Sequence, residues 1–191
     1  MTKITRDLMK AFDAGYAKYE EMIRAVEEEA FVEAAERLES PIEIRMMAEL
    51  WFMDCPYGYG DDDVDAVYLR PEFLASHKPA LTDDDIAAVP VYGSVLVQPQ
   101  ATWKEYRFDF LIIARFGPPP AGTIRIVVEC DGHDFHERTK EQAAHDRSRD
   151  RALTAAGFKV FRFTGSEIFR GAEKCVWEIG RYLSTEADKL R

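Results

Sequence analysis

Cysteine is scarce: Cys55, Cys130 and Cys175 are widely spaced and form no CxxC pair, which excludes a disulfide framework and a zinc ribbon. The three thiols are read instead as small hydrophobes. No run of about 18 or more apolar residues exists, and the polar start MTKITRDLMK lacks the apolar stretch of a signal peptide. Neither a membrane span nor secretion is expected, and the chain is read as cytoplasmic. Basic residues are also in deficit: 25 Lys and Arg stand against 35 Asp and Glu, a net charge of −10, which argues against a chain built wholly for phosphate contact. The deficit is uneven. Residues 1–101 hold 9 basic and 21 acidic side chains, a balance of −12, while residues 102–191 hold 16 and 14, a balance of +2. A phosphate-facing surface is therefore expected in the second half.

The 191 residues suffice for one domain with a buried core, carrying an extension. Apolar residues recur at alternating spacings of four and three from Phe12 through Tyr16, Tyr19, Ile23 and Val26 to Ala30. One unbroken helix there would be roughly 50 Å long at about 1.5 Å per residue, longer than a small domain is wide. Residues 1–39 are thus expected to form a helical extension, either packed on its own domain or serving as a seam for a homodimer or a partner protein. A second helix begins at ESPIEIRMMAELWFMD, with Ser40 as N-cap, Pro41 in the first turn and Glu43 three residues after the cap. Residues 55–90 are rich in Pro, Gly and Asp and read as an acidic insertion of loops and short helical pieces; Asp61, Asp62, Asp63 and Asp65 lack the spacing of a calcium loop.

Strand signals follow in VYGSVLVQPQ, EYRFDFLIIARF and TIRIVVECD, the last two joined by the turn GPPPAG. A helix is expected over about 138–156, ended by Gly157, then the strand FKVFRFTG and a last helix capped by Ser166, with a fraying tail over 185–191.

If the GPPPAG hairpin is symmetric, paired residue numbers sum to about 238, which sets Asp109 opposite Glu129 and Arg107 opposite Asp131. Facing side chains in such a ladder have Cβ atoms only about 4.5–5.5 Å apart, and like charges there destabilise it. Mg²⁺ or Mn²⁺ turns that repulsion into coordination, since either prefers hard oxygen ligands. Two residues apart on one strand, Glu129 and Asp131 share a face. The alternative is structural: Asp109 paired with an arginine, and Asp131 opening a turn with Gly132.

YRFDFLI, VVECDGHDFH and HDRSRDRALTAAGFKVFRFTGSEIF together resemble the PD-(D/E)XK nuclease superfamily, most closely its very-short-patch-repair-like branch. The ordered match includes Asp146, Arg149, Asp150, Leu153, Gly157, Val160 and Arg162, and SPIE is similar to the branch in its helical Glu. The resemblance implies an α/β restriction-endonuclease-like domain at 40–184, an αβββαβ core with a mixed central sheet flanked by helices, which cleaves DNA phosphodiesters with Mg²⁺ or Mn²⁺. It implies Asp109 and Glu129 as metal ligands, with Glu43 reaching the site from its helix. Asp131 stands where the superfamily usually carries Lys, and His136, Lys140 and Arg107 are candidates for the missing group; His136 suits a base near neutral pH, whereas Arg107 is too basic to accept a proton. Arg149, Arg162 and Gln98 are expected to contact phosphate or support the ligands. Because Asp131 departs from the pattern, the competing expectation is an inactive nuclease-fold module that binds nucleic acid or protein.

Overall fold

The computed structural model describes residues 29, 31–51, 53, 55–58, 66–69, 71–73, 81–87, 95–116, 122–132 and 140–190. The elements are α1 (Pro41–Trp51), β1 (Cys55–Gly58), β2 (Ala66–Leu69), β3 (Pro71–Phe73), α2 (Asp83–Ala87), β4 (Val95–Trp103), β5 (Tyr106–Arg115), β6 (Thr123–Asp131), α3 (Lys140–Ala155), β7 (Phe158–Thr164) and α4 (Gly165–Asp188). A mixed five-stranded sheet runs in the order β3-β4-β5-β6-β7, antiparallel at its centre and parallel at both margins. This α/β architecture, a sheet flanked by helices, is compatible with a restriction-endonuclease-like fold.

The acidic insertion differs from its sequence reading. The antiparallel pair β1–β2 lies within it, and β3 extends the main sheet by pairing with β4. Tyr, Val and Phe in these short runs supply strand character that the surrounding aspartates mask. At the other end, α4 starts two residues earlier than expected: Thr164, not Ser166, is its N-cap, in a reciprocal box with Glu167. The helix also continues to Asp188 instead of fraying after residue 184, because Leu183 and Ala187 are fully buried on its inner face.

Two apolar clusters lie on opposite faces of the sheet. α1 and α4 cover the first through Met46, Met47, Leu50, Ile168, Ile179 and Leu183, against Phe110, Ile112, Ile126 and Val128. Leu153 of α3 and Ile86 of α2 cover the second, against Phe108, Leu111, Ile113 and Val127. The described end of the N-terminal extension packs on this same domain: Ala34 is fully buried in the first cluster and Phe31 meets Trp51 edge to face at 4.6 Å. The apolar positions from Phe12 to Ala30 lie outside the described residues. Among the described residues no helix is long and apolar enough to cross a membrane.

Strand alternation breaks at one rung. On β4, Val95 and Val97 point into the first cluster, yet Ala101 and Trp103, of the same parity, point into the second. On β5, Phe110 and Ile112 belong to the first cluster and Phe108 to the second. The β4–β5 ladder passes from Pro99–Phe110 to Ala101–Phe108, so the omitted rung joins Gln100 to Asp109. Gln100 has φ 50, in the left-handed region that a side chain with a Cβ rarely occupies. That one dihedral rotates the rest of the strand by half a pleat and exchanges its faces.

Candidate active site

The hairpin register is the expected one from Arg115–Thr123 to Phe110–Val128, the paired numbers summing to 238. There the ladder ends, before the acids. Asp109 and Glu129 are not a bridged pair, nor are Arg107 and Asp131; Arg107 lies opposite Thr102 on β4 and pairs with Glu39. β6 remains with β7 through Glu129–Arg162, Cys130–Phe163 and Asp131–Thr164. In place of a backbone bond from β5, the Asp109 carboxylate accepts the Cys130 N–H through Oδ2 at 2.6 Å. Asp109 is therefore a side-chain rung, and this role gives it a structural reason that the sequence did not suggest.

Around Asp109 the acids gather from three elements. Burial raises the Asp109 carboxyl above its ordinary range; the Cys130 N–H opposes this, while Glu43 and Asp131 push it further up. Burial likewise lifts Glu129 from 4.5 to about 7, despite the Arg149 guanidinium, with Asp109 adding to the rise. The same desolvation, joined by Asp109, Glu43 and Glu129, pushes the Cys130 thiol up, so it is a neutral packing group.

Glu43 serves two ends. Its Oε1 accepts the Ser40 hydroxyl at 2.6 Å and its own N–H donates to Ser40 Oγ at 3.3 Å, while its Oε2 accepts the Glu39 N–H at 3.1 Å. This is the helix-start function expected of a residue three after the cap. The same Oε2 also accepts Gln100 Nε2 at 2.6 Å, which ties α1 to the rung opposite Asp109. The sequence marks Gln100, with Gln98, only for contact with a backbone or water ahead of the DF strand, not for a bond to Glu43. The signal was the two-residue turn Lys104–Glu105, which aligns β4 with β5 and sets Gln100 across from Asp109.

Arginines of the second half supply the counter-charge. Arg149, from α3, pairs with Glu129 Oε1 with both side chains nearly buried, at 13% and 12% exposure, donates to the Arg107 carbonyl at 2.7 Å, and lies over the Phe108 ring. Arg162, the β7 neighbour of Glu129, pairs with Asp150 at 2.6 Å. Asp131 is half-buried at the end of β6. Gln98 is buried at 1% exposure opposite Leu111, so it supports β4 from within and does not reach solvent. Lys140 opens α3, with its side chain outside the description, and His133, Asp134 and His136 lie outside the described residues.

Among the described residues no group of three or more His, Cys, Asp or Glu is placed to hold a metal. Mg²⁺, however, is usually bound by one or two carboxylates, with waters and substrate phosphate completing its shell. The hydrogen bonds of the site engage Oδ2 of Asp109 and Oε1 of Glu129, and the second oxygen of each has no hydrogen-bond partner among the described residues. Two desolvated carboxylates, each raised by neighbouring acids, suit such an ion chemically.

The restriction-endonuclease-like family REase_MTES_1575 matches residues 91–183. That segment includes Asp109, Glu129, Asp131, Arg149 and Arg162 and leaves Glu43 outside. The match agrees coarsely with the PD-(D/E)XK superfamily. No curated protein and no solved structure shows significant similarity to the chain.

Proposed function

We propose that this chain is a nuclease that hydrolyses DNA phosphodiester bonds with Mg²⁺ or Mn²⁺, and that Asp109 and Glu129 hold the ion. The observation that carries the reading is the convergence of the half-buried Asp109 and the buried Glu129, each raised by desolvation and Glu129 raised further by Asp109, inside a segment that matches a restriction-endonuclease-like family. When bound, the ion supplies charge to the phosphate oxygens and lowers the pKa of a water.

The chain's own residues prepare that chemistry. The Cys130 N–H fixes one oxygen of Asp109, and Arg149 fixes one oxygen of Glu129, so both carboxylates are oriented in advance. Glu43, held by Ser40 and Gln100, adds negative field on the α1 side. Arg149 and Arg162 supply fixed positive charge beside β6, where charge develops on the phosphate. Asp131 fills the position of the superfamily lysine, and His136 or Lys140 is assigned the task of orienting or deprotonating the attacking water.

The decisive experiment incubates the purified protein with plasmid, linear and single-stranded DNA in Mg²⁺ or Mn²⁺, beside Asp109→Ala and Glu129→Ala. Cleavage lost in both variants supports the proposal. Equal cleavage in all three proteins assigns the activity to a contaminant. One observation favours a second reading, an inactive nuclease-fold binding module: Arg149 already neutralises Glu129. That reading requires DNA binding without cleavage and no heat of Mn²⁺ binding in calorimetry.

A further inference from the structure

A cleft of about 470 Å³ opens at the end of β6, between the first turns of α1 and α4. Its size falls in the range of about 300–1,000 Å³ typical of small-ligand sites. The cleft starts beside the acids, because Gly132 lines it immediately after Asp131. Gly165 lines it too, with the space for a Cβ 3.5 Å from the Asp131 carbonyl oxygen and 3.9 Å from Ile42 Cδ1. Three element ends thus meet here.

The rim combines an aromatic face with cations. Phe169 is 72% exposed, more than any other large hydrophobic side chain among the described residues. Arg45, reaching across from α1, places its guanidinium carbon 5.6 Å from the Phe169 ring centroid, and Arg170 lines the cleft next to Phe169. Both arginines are exposed and neither has an ion-pair partner among the described residues. In a chain of net charge −10, two uncompensated arginines beside an exposed ring form a local exception. Ser40 and Thr164 each engage one first-turn N–H, those of Glu43 and Glu167, and the charged and aromatic groups at the rim are these side chains.

We infer that this cleft receives an unpaired nucleotide of the DNA strand adjoining the cleaved phosphate, with its base stacked on Phe169 and its phosphates met by Arg45 and Arg170. A base reaches a ring in a concave site only when it has left the duplex stack, and stacking on an aromatic face tolerates any base. The inference rests on the nuclease reading for the position of the phosphate. It names the substrate class: single strands, flaps or frayed ends in preference to continuous duplex.

The test reads binding apart from cleavage. A short single-stranded oligonucleotide carrying 2-aminopurine, and its duplex, are titrated with the protein in EDTA. Wild-type protein is expected to prefer the single strand and to change the 2-aminopurine emission. Phe169→Ala, and separately Arg45→Ala combined with Arg170→Ala, are expected to weaken single-strand binding by about fivefold or more, with a smaller effect on duplex. Trp177→Ala removes another exposed aromatic, which lines a different groove, and is expected to leave binding unchanged. Wild-type affinity in Phe169→Ala, equal losses on single strand and duplex, or no DNA binding by the wild type overturns the inference. A protein that loses strand affinity on Phe169→Ala yet never cleaves DNA with Mg²⁺ upholds the cleft and overturns the cleavage alone.

Discussion

The carboxylate of Asp109 accepts the backbone N–H of Cys130 at 2.6 Å, where the β5–β6 ladder has just ended. Its acceptor role and its charge are separable. Asp109→Asn keeps a carbonyl acceptor and relieves repulsion from Glu43 and Asp131, so its stability in urea unfolding is expected to equal or exceed that of the wild type. Asp109→Ala leaves the N–H unpaired and is expected to cost about 1–2 kcal/mol. Cleavage is expected to fall by about 100-fold or more in both.

Arg149 and Glu129 form a nearly buried ion pair, so removing the cation strands a charge. Arg149→Met is expected to lose about 3 kcal/mol of unfolding free energy above pH 7. Arg149 holds the Glu129 carboxyl down, so in the variant that carboxyl titrates above its wild-type value of about 7, and the loss shrinks as the pH falls toward 7 and the stranded charge takes up a proton. The double variant with Glu129→Gln is expected to recover most of the loss, and denaturant melts of the four proteins measure the coupling.

Glu129 titrates near 7 in the folded chain against 4.5 in the unfolded one. The folded state therefore binds the proton more tightly. Its contribution to stability is complete below pH 4.5 and is lost as the pH rises to about 7. Thermal melts of the metal-free protein are expected to decline across this window, and Glu129→Gln to flatten the decline. Mn²⁺ competes with the same proton, so its affinity by calorimetry is expected to strengthen as the pH rises through 7.

Gln100 occupies a left-handed backbone conformation, φ 50, that glycine adopts without strain. Gln100→Gly and Gln100→Ala both lose the bond to Glu43, and they differ only in that backbone. The alanine variant is expected to be less stable by about 1 kcal/mol, measured by paired chemical denaturation. Equal stabilities would show that the conformation carries no strain.

Much of the central framework was legible because it is local. Hydrophobic runs located β4 to β7, and a symmetric turn fixed the β5–β6 register from Phe110 to Arg115. The same reasoning failed one rung further, since a constant register assumes a continuous ladder, and the Asp109 side chain replaces that ladder at Cys130. The Ser40–Glu43 cap was visible as a spacing, while the Gln100 bond to the same carboxylate joins residues 57 apart. Arg149 was marked by its resemblance to a family pattern, yet its partner Glu129 lies 20 residues earlier and is set by how α3 crosses the sheet. β1, β2 and β3 escaped because strands of three or four residues among aspartates carry too little periodicity to detect.

The exchange of faces at the Gln100–Asp109 rung also bears on how this chain tolerates mutation. Ala101 and Phe108, the next pair along, are fully buried in the cluster opposite to the one that alternation would assign them. Any change that restores regular pleating must therefore expel them and turn Asp109 with them. In a saturation screen selected for function alone, small and aromatic packing positions at this rung will consequently be as intolerant as the acids, and the acids' surroundings will read as a constraint on volume.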